Sequence, residues 1–291
     1  MNFVLFHVDV NNFYAACHTL FEPKLEEKSV VILSSNDGNA IACSPHAKLL
    51  GIKRGTPSFD LLPWVEPFGI TLFSASFPLY ADMSRRIVET LAHFSPEIEY
   101  YSIDELFLKV PWESAEALGR LARQIRQRVL RWTGLLVSIG IGPSKVLAKL
   151  ATRLAKKGVE GFVDLASDPF QRDVLLRSVP VQDLWGIGAR SARKLHQAGI
   201  FSAHQLISLP DSRLRSLLRV PGVRLVWELR GFPIFSIEQV PLLPSRSAVC
   251  VRSASQSPRW RISKRSWPVL SPVPQKNFVA LTWLLLRLSF S

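Results

Sequence analysis

Residues 3–10, FVLFHVDV, form an apolar run of strand length that closes on Asp9, the pattern of a buried strand. Asn11 or Asn12 then stands where it can cap a short helix over NFYAACHTLF. SVVIL predicts a second strand, SSNDGN supplies hairpin-turn residues, and AIAC predicts the returning strand. In SPHAKLLG, Ser44 takes the N-cap position, Pro45 the first helical position and Gly51 the place just past the end. Residues 79–94 have helical apolar spacing. IEYYSIDELFLKV predicts a β-hairpin or a bent strand, with Asp104 and Glu105 adjacent inside it. An Arg-bearing amphipathic helix over 114–132, a strand in GLLVSIGI and a helix over 144–157 follow. Interleaved strands and helices predict an α/β or α+β unit. From about 170 to 233 only short helices are legible, joined by WGIG and VPGV, which predicts a separate helical domain.

Composition changes this picture in one respect. The chain has 291 residues, 47% hydrophobic and 20% charged, and a net charge of +13, so a polyanionic partner is the first expectation. The charge is uneven: residues 239–291 hold eight Lys or Arg and no Asp or Glu. Three scattered cysteines without a CxxC pair predict reduced thiols and a cytoplasmic location. MNFVLFHVDV lacks the basic start of a signal peptide, and the most apolar late stretch, FVALTWLLLRLSFS, is too short to span a bilayer. No membrane partner is expected.

Asp9 closes one strand and Asp104–Glu105 sits in another. If the strands are neighbours, three carboxylates converge at one sheet edge, and such a cluster calls for cations. Hard oxygen ligands without a His or Cys cluster suit Mg²⁺, and two such ions suit phosphoryl transfer. Spacing alone does not separate this from a hairpin turn with two solvated acids. Lys145, Lys149 and Lys156 fall within roughly 40° of one another on a helix, with Val146, Leu147, Leu150 and Leu154 opposite. GIGPSK has neither the Walker A nor the GxGxxG spacing. A nucleotide here would be held by side chains and metal ions.

VPVQDLWGIGARSARKLHQAGI predicts a helix, a Gly186-Ile187-Gly188 hairpin and a second helix opening at Ala189. Glycines permit close backbone approach and a helix N-terminus suits a phosphate. Arg190, Arg193 and Lys194 add charge. The segment is similar to a helix-hairpin-helix module, which grips the DNA backbone without reading sequence. A plain helical turn is the other reading. LLRVPGVRLVWELRG would be a weaker second copy.

DVNNFYAAC, VVILSSNDGNAIA, AKLLGIKRGTP, LYADMS, YSIDELF, IGIGPSKVLAKLA, LAKK and DLWGIGARSARKL occur in the order seen in Y-family translesion DNA polymerases, and the chain resembles most the UmuC branch of that family. The resemblance covers most of residues 4–233. It implies an α+β fold: a catalytic palm with a mixed or antiparallel sheet (1–20 and 76–165), small α/β fingers (21–75) and an all-helical thumb (168–233). It also implies that Asp9, Asp104, Glu105 and the Val10 carbonyl bind two Mg²⁺ ions, that Tyr14 is a steric gate against ribose, and that Lys48 and Lys156 contact the incoming dNTP. Gly186, Gly188 and Arg190 would grip primer–template DNA. A processed UmuD dimer is an implied partner. The family's sliding-clamp contact is in doubt, because it lies C-terminal to where this chain stops.

The chain departs from the pattern at several positions. His18 stands where these proteins usually have Glu, and CSPHAK with Pro45 replaces a more polar stretch. Gly38, Ala40, Ala42 and Ala47 are compatible with a roomy pocket. Residues 234–291 do not resemble the family's little-finger domain. They are expected to be a poorly ordered basic tail, either a frameshift product beginning near residue 251 or a nucleic-acid-binding arm. The expected function is error-prone translesion synthesis in SOS mutagenesis. The alternatives are a truncated DNA-binding relative with little or no synthesis and, on a similar palm, a nucleotide cyclase.

Overall fold

The computed structural model describes residues 2–238. The frameshift near 251, the basic arm and the rest of the expected tail lie outside the described residues. The fold is α+β. A five-stranded sheet is built from β1 (Phe3–Val10), β5 (Ile98–Tyr100), β6 (Glu105–Pro111), β7 (Val137–Gly142) and β8 (Phe162–Asp164). Its order is β5-β6-β1-β7-β8. All neighbours run antiparallel except β7 and β8. A smaller sheet, ordered β3-β2-β4, joins β2 (Val30–Leu33), β3 (Ala40–Cys43) and β4 (Thr71–Ser74). The β2–β3 pair is the expected hairpin.

Side chains alternate across a strand, and β1 uses both faces. Val4, Phe6, Val8 and Val10 enter the main core with residues of α1 (Phe13–Phe21), α4 (Phe77–Leu91) and α5 (Ala115–Thr133). Leu5, His7 and Asp9 face α6 (Lys145–Ala155). α6 lies on β7 with backbone nearly touching backbone. A Cβ on Gly140 would collide with the Ala148 carbonyl and the Thr152 amide, and one on Gly142 with the Ala148 amide. The GIG of this segment is therefore a packing requirement rather than a phosphate cradle.

The far side of α6, through Val146, Leu147 and Leu150, enters a second core with α7 (Pro169–Ser178), α8 (Ala189–Gln197), α9 (Ala203–Ile207) and α10 (Asp211–Leu229). Buried Glu228 ties the two units: it accepts from the Val146, Ile234 and Phe235 amides at 3.2, 2.6 and 2.7 Å. The Glu238 amide donates to Glu99 at 2.7 Å. Residues 234–238, assigned to the tail, are thus held by buried carboxylates.

Three other expectations need correction. Asn12 sits at the start of α1 with φ 50° and makes no capping bond; its side chain accepts from Lys48 instead. Asp104 is not inside a strand but in the turn before β6, where the Tyr101 and Ser102 amides donate to the Glu105 carbonyl. The helix before Gly186 is a single 3₁₀ turn, Val181–Asp183. In LLRVPGVRLVWELRG two helical stretches of α10 meet at a kink, at Arg219 (φ 58°, ψ −167°), where Pro221 has no N–H to continue the ladder.

Candidate active site

Asp9 on β1 pairs directly with Glu105 on β6, and the Val10 amide donates to the Asp104 carbonyl at 2.9 Å. Direct cross-strand partners place Cβ atoms about 5 Å apart on one face. The three acids therefore meet at one end of the sheet, as strand pairing requires. Ser102 Oγ donates to Asp104 Oδ1 at 2.8 Å.

The lysine stripe of α6 meets an acid on the sheet at every step. Lys145 Nζ lies 2.5 Å from Glu99 Oε2, Lys149 Nζ 2.8 Å from Glu105 Oε2 and Lys156 Nζ 2.7 Å from Asp9 Oδ1. Helical periodicity set the stripe; cross-strand periodicity set its partners. Asp9 is 6% exposed. Burial pushes its carboxyl up to about 7, against the pull of the Lys156 ammonium, and the charges of Glu105 and Asp104 add to the rise. Desolvation outweighs the single ion pair, so this end of the sheet favours added positive charge. Among the described residues no three His, Cys, Asp or Glu side chains converge as a preformed metal cluster; Asp9 and Glu105 each turn to a lysine. The donors are nonetheless all hard oxygens, a set that fits Mg²⁺ rather than zinc.

Tyr14 lies half-buried on α1, its ring centroid 4.4 Å from that of Tyr80. Burial, and then the Asp104 charge, raise its hydroxyl pKa. Lys48, on α2 (Pro45–Leu49), reaches across to Asn12 Oδ1 at 2.5 Å, so the small-sheet unit delivers a cation to the same end of β1. Val10 is the last residue of β1.

Gly186, Gly188 and Arg190 are exposed on the helical unit. Gly186 has φ 87° and Gly188 caps α8. The link between the two places is aromatic. Lys149 Nζ lies 3.9 Å from the Tyr101 ring centroid and 5.0 Å from that of Trp185, next to Gly186.

Sequence reasoning gave Tyr101 and Trp185 no role, Lys149 only a place in the basic stripe and Asn12 only a capping role. It also passed over His7, buried two residues before Asp9 with Nδ1 2.8 Å from Thr152 Oγ1. Burial, then Lys149 and Lys156, hold the His7 pKa well below its usual value. The α6 stripe was the available signal; its acidic partners are too distant in sequence to be read from it.

The fold is that of Y-family DNA polymerases: the ternary insertion complex of Dbh DNA polymerase matches with a TM-score of 0.70 at 24% identity, over 81% of this chain and 69% of that one. DinB from Sulfolobus solfataricus matches with a TM-score of 0.68 at 24% identity, over the same shares. The family model for impB/mucB/samB matches residues 8–153, and the chain belongs to that family. Protein UmuC of Salmonella typhimurium LT2 is 42% identical over 250 residues, 84% of this chain and 58% of that protein. DNA polymerase IV of Pelotomaculum thermopropionicum is 32% identical over 223 residues, 74% of this chain and 53% of that protein. The chain thus spans little more than half the length of these relatives. Among the described residues no helix is long and apolar enough to cross a membrane.

Proposed function

We propose that this chain carries the catalytic part of a UmuC-like translesion DNA polymerase, with palm 1–20 and 76–165, fingers 21–75 and thumb 168–233. The observation that carries the reading is the meeting of Asp9, Asp104 and Glu105 at one sheet end, with Lys156 on Asp9 and Lys48 on Asn12, just past the end of β1. Asp9, Asp104, Glu105 and the Val10 carbonyl would hold two Mg²⁺ ions. When bound, these would make the primer hydroxyl more acidic and spread the charge of the leaving pyrophosphate.

The primer 3′-oxygen forms the new bond to the α-phosphorus of a dNTP, and the α–β bridging bond breaks. Lys156, 42% exposed, exchanges its Asp9 partner for triphosphate oxygens, and Lys48 approaches them from the fingers side. Tyr14 occupies the space a ribose 2′-hydroxyl would need. The Gly186–Gly188 turn and Arg190 hold a DNA phosphate through backbone N–H groups and charge.

Primer extension across an abasic template tests this. Asp104→Ala should abolish extension while keeping most primer–template binding; near wild-type extension by that variant would refute the assignment. Family membership supports a cytoplasmic role in SOS mutagenesis and a processed UmuD dimer as partner, which the same assay run with and without processed UmuD would test.

A further inference from the structure

One buried polar pair has no part in the chemistry above. His18 Nε2 lies 2.9 Å from the Tyr80 hydroxyl. Tyr80 is fully buried and His18 is 8% exposed. Tyr80 comes from α4 and packs its ring on Tyr14 at 4.4 Å, with Phe13 and Phe77 at 6.2 and 6.1 Å. His18 in turn lies on Phe73, with centroids 4.6 Å apart. Tyr14 and His18 are four residues apart on α1 and share a face. Tyr80 fills the space behind both.

We propose that His18 is a positioning residue for sugar selection, which acts through Tyr80 to fix the ring of Tyr14 against a ribose 2′-hydroxyl. The inference rests on the steric-gate reading of Tyr14 and extends it. A gate works only if its ring cannot retreat. Dispersion contacts with neighbouring rings are soft in rotation, whereas a hydrogen bond fixes a direction. The Tyr80 ring backs Tyr14, so the bond that holds Tyr80 sets how far Tyr14 yields. Burial keeps His18 neutral, with its pKa pushed down to about 4, and pushes the Tyr80 hydroxyl up to about 12. The tether is therefore a neutral bond that survives burial without a counter-ion, and it uses the histidine that departs from the family's usual glutamate.

The test compares dNTP and rNTP incorporation by the full chain. His18→Leu should raise rNTP kcat/KM roughly three- to tenfold, as loss of one buried hydrogen bond allows, while dNTP kcat/KM stays within about twofold. Tyr80→Phe should match it, and the double variant should add nothing, because both remove one interaction. His18→Gln, which keeps a neutral hydrogen-bonding group, should retain the wild-type ratio. A His18→Leu variant that loses dNTP and rNTP use equally, or effects of the two substitutions that add, would overturn the proposal. Tyr14→Ala separates the two readings: it should relax selection further than any of these. If it leaves the ratio unchanged, the gate itself is refuted. For a chain that does not turn over, dNTP and rNTP dissociation constants of the primer–template complex in Ca²⁺ give the same ratio. A wild-type chain that binds both equally, or neither, overturns the gate reading and this one together.

Discussion

The two ends of the α6 stripe pair the same residue types and do opposite work. At one end Lys145 and Glu99 are 6% and 8% exposed, and Glu99 also accepts from the Glu238 amide. Both charges are sealed, and all their partners come from the protein. At the other end Lys156 is 42% exposed while Asp9 is buried, and burial leaves Asp9 short of positive charge. A lysine that a ligand can displace and an acid that a cation can relieve mark an open site; a lysine with nowhere else to go marks a fastener. Solvent access, rather than residue type, separates them.

The largest expected effect sharpens that contrast. Lys145→Met strands Glu99 in the interior and should cost about 3–5 kcal/mol in urea unfolding. Lys156→Met should cost about 1 kcal/mol or less, as for pairs with an exposed partner, and should weaken dNTP binding instead. Equal losses of stability would break the comparison.

His18 offers a buried base with no acid partner. The unfolded chain takes up its proton near 6.5 and the folded chain near 4, so the unfolded state binds more protons between those values. Stability from this group is complete above 6.5 and is lost as pH falls toward 4, by about 3 kcal/mol at most. His7, also held neutral by burial, contributes in the same direction. Denaturant midpoints at pH 7 and 4.5 should differ less for His18→Gln than for the wild type.

Divalent cation tests the open end directly. Mg²⁺ at a hundred times its dissociation constant should stabilise the fold by roughly 2.7 kcal/mol through mass action, and EDTA should reverse the gain. Asp9→Asn should remove most of the Mg²⁺-dependent shift in Tm, whereas Glu99, sealed by Lys145, should be indifferent to the ion. A shift of full size in Asp9→Asn would move the cation elsewhere.

The parts of this fold legible in the sequence are those with local causes. Strand β1 announced itself as an apolar run, and Ser44, Pro45 and Gly51 marked α2 by capping chemistry. The helices α5 and α6 followed from 3.6-residue spacing, and their bounds are off by a residue or two at most. Asn12 failed as a cap because a lysine 36 residues away claimed its side chain. Propensity gives a residue its local option; tertiary contact decides between options. The carboxylates were legible from their strand positions and from the resemblance. The lysine ladder, the Lys149 aromatic contacts and the His18–Tyr80 pair were not, because each joins residues more than 30 positions apart that no short motif records.

Gly140 and Gly142 give the whole face its tolerance. With no Cβ at these two positions α6 lies hard against β7, a rail from which Lys145 and Lys149 reach their acids, with Lys156 just past its end. Adding even a methyl group at either position would jack the rail away from the sheet. That would loosen the fastener and the open site in a single stroke.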